Sequence, residues 1–89
     1  MIEKRLTIIN KLGLHARAAA KLVTTASQFQ ADIRISRDDR EIDGKSIMSV
    51  MMLAASKGTE LQLSAQGEDE QAALDALEAL INNRFDEPE

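Results

Sequence analysis

The apolar residues of this 89-residue chain change their spacing from two to between three and four three times over, and return to two after the first and second of these changes. Leu6 and Ile8 stand two apart among polar neighbours, as in a strand that buries one face. From Ala19 the step becomes three or four, through Leu22, Val23, Ala26 and Phe29 or Gln30, which is one face of an amphipathic helix beginning near Ala16. Alternation returns over Ala31–Arg37 with Ile33 and Ile35 on one side, and after the polar turn Asp38-Asp39 a short partner strand fits Arg40–Asp43 with Ile42 inward. Gly44 interrupts it. A second helix is expected from Ile47 to about Ala55, with Ser46 as its cap and Lys57-Gly58 as its stop. Thr59–Ala65 alternates once more through Leu61, Leu63 and Ala65. Acidic Gly67-Glu-Asp-Glu70 then opens a last helix whose stripe is Ala73, Leu74, Leu77, Leu80 and Ile81, before Asn82-Asn83 and an acidic tail. The order is β-α-β-β-α-β-α, an α+β chain with no repeat, linker or low-complexity segment. Helices covering one face of a single sheet would satisfy every apolar stripe.

Eighty-nine residues suit one domain, 1–89, with a single small core, since a chain of this size buries roughly 60–65% of its unfolded surface. The formal charge of −4, with no basic cluster longer than Lys4-Arg5, argues against nucleic acid or an anionic membrane as the main partner. No cysteine is present, so neither a disulfide nor a thiolate metal site holds the fold, and no metal or cofactor is expected. The longest apolar run, Val50–Ala55, is far below the roughly 20 residues of a membrane-spanning helix, and the N-terminus leads into alternation rather than a signal segment. A soluble, unprocessed, cytoplasmic protein is the expectation.

The only histidine, His15, falls where the first strand has ended and the first helix begins, behind the turn Lys11-Leu-Gly13, whose glycine can take a positive φ. A lone histidine is more often a packing or surface residue. Here the unpaired N–H groups and dipole of the helix start would lie beside it, at Ala16, Arg17 and Ala18, and Arg17 adds a fixed cation. One imidazole beside an anion-binding helix end suits nucleophilic capture of a phosphoryl group, with a ring nitrogen as the covalent carrier.

The run Gly13-Leu-His-Ala-Arg17, followed by Ala-Ala-Lys-Leu22, closely resembles the active-site segment of the HPr family, the histidine phosphocarriers of the bacterial phosphotransferase system. Gly-Lys-Ser46-Ile-Met, Lys57-Gly-Thr and Gly67-Glu-Asp-Glu add to it by their spacing, and the resemblance extends from Leu6 to Ile81. It implies an open-faced β-sandwich, a four-stranded antiparallel sheet with three helices on one face. It also implies that His15 carries the phosphoryl group as a pros-phosphohistidine and that Arg17 helps to hold it. On that reading the protein is a carrier rather than an independent enzyme. It would take phosphate from a phosphoenolpyruvate-charged enzyme I and pass it to an enzyme IIA-type acceptor, as a monomer without a cofactor. One departure stands out: the family usually has proline after the arginine, where this chain has Ala18, which adds a backbone N–H at the helix start and frees a φ. The length, Ala18 and the Phe-Asp-Glu ending are similar both to proteobacterial HPr and to the nitrogen-related NPr branch.

Ser46 has two readings. Its hydroxyl can cap the second helix, a role worth about 1 kcal/mol. The resemblance adds regulation, because in HPr relatives a serine at this place is the target of an HPr kinase/phosphorylase, and a phosphate there would sit on a helix start while bringing about two negative charges. Gly44-Lys-Ser46 is not a nucleotide-binding loop, since that motif requires glycine where Asp39 stands. The second helix carries more apolar residues than one buried stripe needs. Val50 and Leu53 are expected inside, leaving Ile47, Met48 and Met51 as an outward patch for partners. The competing function is a small α+β regulatory or ligand-binding module without phosphotransfer. Against an RNA-binding sheet stand the acidic balance and the lack of sheet aromatics, Phe29 and Phe85 being the only two aromatics. Against a hydrolase stands the absence of any Ser-His-Asp or Cys-His set.

Overall fold

In the computed structural model, which describes residues 1–89, the alternating segments become four strands and the three-to-four periodic segments three helices. Strand β1 (Ile2–Thr7) is followed by helix α1 (Ala16–Ala26), the hairpin β2 (Asp32–Arg37) and β3 (Arg40–Asp43), helix α2 (Ile47–Met52), strand β4 (Glu60–Gln66) and helix α3 (Glu70–Asn82). A short 3-10 turn at Arg84–Asp86 closes the chain. The strands form one sheet in the order β1-β4-β2-β3, and every neighbouring pair is antiparallel.

Register explains why only one face is covered. Leu6 stands opposite Leu61, Ile35 opposite Leu63 and Ile33 opposite Ala65, so the apolar residues of β1, β2 and β4 fall on the same side. All six are buried, whereas Glu3, Arg5, Asp32, Arg34 and Glu60 are exposed. Helices α1 and α3 bring Ala18, Ala19, Leu22 and Ala26, and Ala73, Leu74, Leu77 and Ile81, onto that side. Val23, Phe29, Ile42 and Leu80 pack against the same cluster while half-buried. Beyond the end of β1 the chain stays tied to the loop before β4, through Ile8 N–H to Thr59 O at 2.9 Å and Gly58 N–H to Ile8 O at 2.7 Å.

The second helix is shorter than its apolar run suggests. It ends at Met52 rather than near Ala55, with Leu53 as its C-cap, because Ala54 turns into the left-handed region at φ 51°. The last carbonyls are taken by the hairpin: Arg37 Nη1 donates to Leu53 O (2.6 Å) and Ala54 O (2.9 Å), and Arg40 Nη1 to Met52 O (2.7 Å). Lys57-Gly58 therefore lies in the loop to β4 rather than at a helix stop. The tail also departs from a simple acidic end, since Phe85 is fully buried in the core. Residues 84, 85 and 86 all take left-handed φ values of 57°, 54° and 64° to place it there.

Candidate functional site

The turn after β1 is shaped by close backbone approach. Gly13 has φ +69°, and a Cβ there would come within 2.6 Å of Ala55 O and 2.8 Å of Ser56 Cα. Its neighbour Leu14 donates from its N–H to Ala55 O at 2.8 Å, which pins the segment before His15 to the chain after α2. His15 is the N-cap residue of α1, with extended backbone (φ −74°, ψ 178°), and its carbonyl accepts the first intrahelical bond from Ala19 N–H at 2.8 Å. The N–H groups of Ala16, Arg17 and Ala18 precede that bond and have no acceptor within the helix. No side chain caps them. Arg17 is exposed and forms no ion pair, while Ala18 is fully buried under the helix start.

The His15 side chain is 29% exposed and lies in a groove that the helix-start segment lines together with the tail residues Glu87, Pro88 and Glu89. Its Nε2 is hydrogen-bonded to Glu87 Oε2. The second oxygen of that carboxylate, Oε1, accepts from Asn10 Nδ2 at 3.0 Å, and the same nitrogen donates to Gly13 O at 2.8 Å. Asn10 is fully buried, so the chain Gly13–Asn10–Glu87–His15 rests on a fixed base. The tail that carries Glu87 is fastened by Lys21 Nζ to Phe85 O (2.8 Å), Arg84 Nη1 to Pro88 O (3.1 Å) and Lys11 N–H to Glu89 O (3.0 Å). Burial pushes the Glu87 carboxyl up. The hydrogen bonds from His15 and Asn10, with the charges of His15 and Lys21, outweigh that and hold it below its usual value. Glu87 is thus a carboxylate at neutral pH.

The sequence places His15, Arg17 and the backbone of residues 16–18 together; the structure has His15, Ala16 and Arg17 lining one groove, with Ala18 next in the helix but buried. Ser46 stands elsewhere, as the N-cap of α2, where its Oγ accepts from Ser49 N–H at a long 3.4 Å. Ile47, Met48 and Met51 are 39%, 69% and 41% exposed, while Val50 and Leu53 are buried as expected. Sequence reasoning missed Asn10 and Glu87. The one available signal was Phe85, a large apolar residue in an acidic tail, which has no reason to be there unless the tail returns to the core.

Comparison with known proteins decides the family. A family model described as the PTS HPr component phosphorylation site matches residues 2–83. The chain belongs to the HPr family. The phosphocarrier protein HPr of Pseudomonas aeruginosa is 61% identical over 85 residues, covering 94% of each chain. The crystal structure of HPr-C-His from Thermoanaerobacter tengcongensis superposes with a TM-score of 0.97 at 45% identity, covering 100% of both chains. A crystal structure of an HPr dimer from the same organism superposes with a TM-score of 0.79 at 46% identity, covering 98% of this chain and 100% of that one. The HPr fold with its antiparallel sheet and three helices is therefore shared throughout the chain, and the HPr proteins it resembles are phosphocarriers of the phosphotransferase system. No helix of the chain is long and apolar enough to cross a membrane.

Proposed function

We propose that this chain is a cytoplasmic phosphocarrier in which His15 takes a phosphoryl group from an enzyme I-type donor and yields it to an enzyme IIA-type acceptor. The observation that carries this proposal is the position of the sole histidine as N-cap of α1, with its ring in an open groove beside Arg17 and three helix-start N–H groups without helical acceptors. The phosphoryl group resides on Nδ1, the pros nitrogen, because Nε2 is already engaged. Transfer forms the Nδ1–P bond as the donor's bond to phosphorus breaks and its electron pair leaves with the donor. The anionic oxygens then meet Arg17 and the N–H groups of Ala16, Arg17 and Ala18, the last of which a proline would lack. Nothing in this scheme requires a metal or cofactor.

Donor and acceptor both dock over Ile47, Met48 and Met51, and phosphorylation of Ser46 by an HPr kinase/phosphorylase, in a host that carries one, modulates that docking. The relay itself tests the proposal. With phosphoenolpyruvate, enzyme I and an enzyme IIA protein in one vessel, label should reach the IIA protein only when this chain is added, and the His15→Ala chain should not restore it. Equal labelling of the IIA protein with and without the chain would overturn the carrier role.

A further inference from the structure

The tail carboxylate is the feature of the groove that phosphate binding by Arg17 and the helix start does not use. A free imidazole exchanges its proton between two nitrogens, and only the unprotonated one is nucleophilic. A carboxylate accepts hydrogen bonds and cannot donate them. Glu87 on Nε2 therefore requires that nitrogen to carry the hydrogen, which leaves the lone pair on Nδ1. Asn10 occupies the other carboxylate oxygen at 3.0 Å and is itself anchored to Gly13 O at 2.8 Å, so the carboxylate's orientation is set from below by a fully buried residue.

We propose that Glu87 is a positioning residue for phosphotransfer, fixing the Nε2–H form of the His15 ring and facing the positive charge that the ring acquires when Nδ1 bonds to phosphorus. This rests on His15 being the acceptor. In the step, the Nδ1 lone pair forms the new bond, the donor leaves with the old one, and the ring becomes an imidazolium whose proton stays on Nε2. No proton needs to move, because Glu87 accepts the same hydrogen bond before and after while its negative charge offsets the new cation. The other charged groups around the ring are Arg17, Lys11 and Lys21 on the positive side and Glu89 on the negative. Of these, Lys21 is held by Phe85 O and Asp86, and Lys11 by Glu89. Glu87 is the one whose oxygen touches the ring. Its side chain is only 10% exposed, so it acts from behind the ring while the open side of the groove receives the partner.

Two readouts separate positioning from mere packing. In ring-15N-labelled protein at neutral pH, the wild type should show a solvent-protected one-bond N–H signal on Nε2 and a bare Nδ1. Glu87→Ala should lose that protection. Transfer from phosphorylated enzyme I should slow about tenfold or more in Glu87→Ala, with the loss in kcat rather than KM. Glu87→Gln keeps the tail's volume and an acceptor oxygen but not the charge. It leaves one acceptor oxygen for the two donors Asn10 and His15, and should slow transfer in a chain that circular dichroism shows still folded at the assay temperature, which keeps the test decisive should the alanine variant loosen the tail. Glu68→Gln, an exposed carboxylate remote from the groove, should match wild type. A wild-type signal on Nδ1–H instead, or wild-type transfer rates in both Glu87 variants, would overturn the proposal and make the tail a packing strap. The unphosphorylated N–H signal is read without any phosphotransfer, so failure of His15 to accept phosphate would count against the carrier role while the Glu87 contact is decided separately.

Discussion

His15 and Ser46 hold the same structural post, each the N-cap of a helix with extended backbone, yet they differ in what the side chain does there. The imidazole makes no bond to its own helix, so the three N–H groups beyond it stay available to an anion. The Ser46 hydroxyl turns onto Ser49 N–H, although at 3.4 Å the bond is long, and a carboxylate or phosphate in its place would find the same donor with a charge-assisted contact. Ser46→Asp should therefore keep or slightly raise the melting temperature. Its transfer rate from enzyme I should fall, because the new negative charge lies next to the exposed Ile47 and Met48. Thermal melts and single-turnover transfer on the same variant check this, and an unchanged rate would leave Ser46 as a cap alone.

Between elements, Asp69 shows how a short polar contact can join distant parts of the sequence. It precedes α3 but does not cap it. Its carboxylate instead accepts from Gln30 N–H at 2.8 Å and Ala31 N–H at 2.9 Å, closing the turn that leads from α1 into β2. The bond from Gln30 is the main cause holding the Asp69 carboxyl below its ordinary value, against the opposing effect of burial and with help from Ala31. A depressed carboxyl contributes stability that is present above its unfolded value and is lost as pH falls through the folded one. The melting-temperature gap between wild type and Asp69→Asn should accordingly be full at neutral pH and close in the acid range below the ordinary carboxylate value. A gap independent of pH would assign the contact to shape and not to charge. The same residue marks how much a reader of the sequence could see. Acidic residues at the start of α3 were legible, and Glu70 does accept from Gly67 N–H at 3.0 Å, but that Asp69 would serve another turn depends on a tertiary approach that no local spacing encodes. The strands and the buried faces of α1 and α3 were readable because period and burial coincide there. The end of α2 was not, since Arg37 and Arg40 reach its carbonyls from a hairpin that precedes it. Nor was Glu87, which looks like solvated charge until Phe85 is known to be buried.

Over the whole molecule, charge and apolar surface divide the labour. The open sheet face is polar and largely self-paired, as in Arg5 with Glu60 and Arg34 with Asp32, and offers no apolar ground. Leu12, Ile47, Met48, Met51 and Met52 are the exposed apolar residues of the turn before α1 and of α2, and those two helices pack together. On the proposed relay a donor and an acceptor each reach the same ring and so share this side, and they should compete. Met51→Glu should weaken enzyme I binding by a few kcal/mol if the residue is central to the contact, and change stability by only about 0.5 kcal/mol because the side chain already meets water. Calorimetric titration beside thermal melts distinguishes this from a buried role, for which stability would fall instead. Every group proposed to hold the phosphoryl comes from one copy of the chain, so a monomer should be competent, and light scattering during transfer should show no requirement for a dimer. The most direct measurement is intact mass and site mapping after incubation with phosphoenolpyruvate and enzyme I. The expected result is one added phosphoryl group on His15, lost in acid, stable in alkali and absent from His15→Ala; a phosphoryl group retained at full occupancy in His15→Ala, or none taken up by the wild type, would contradict it.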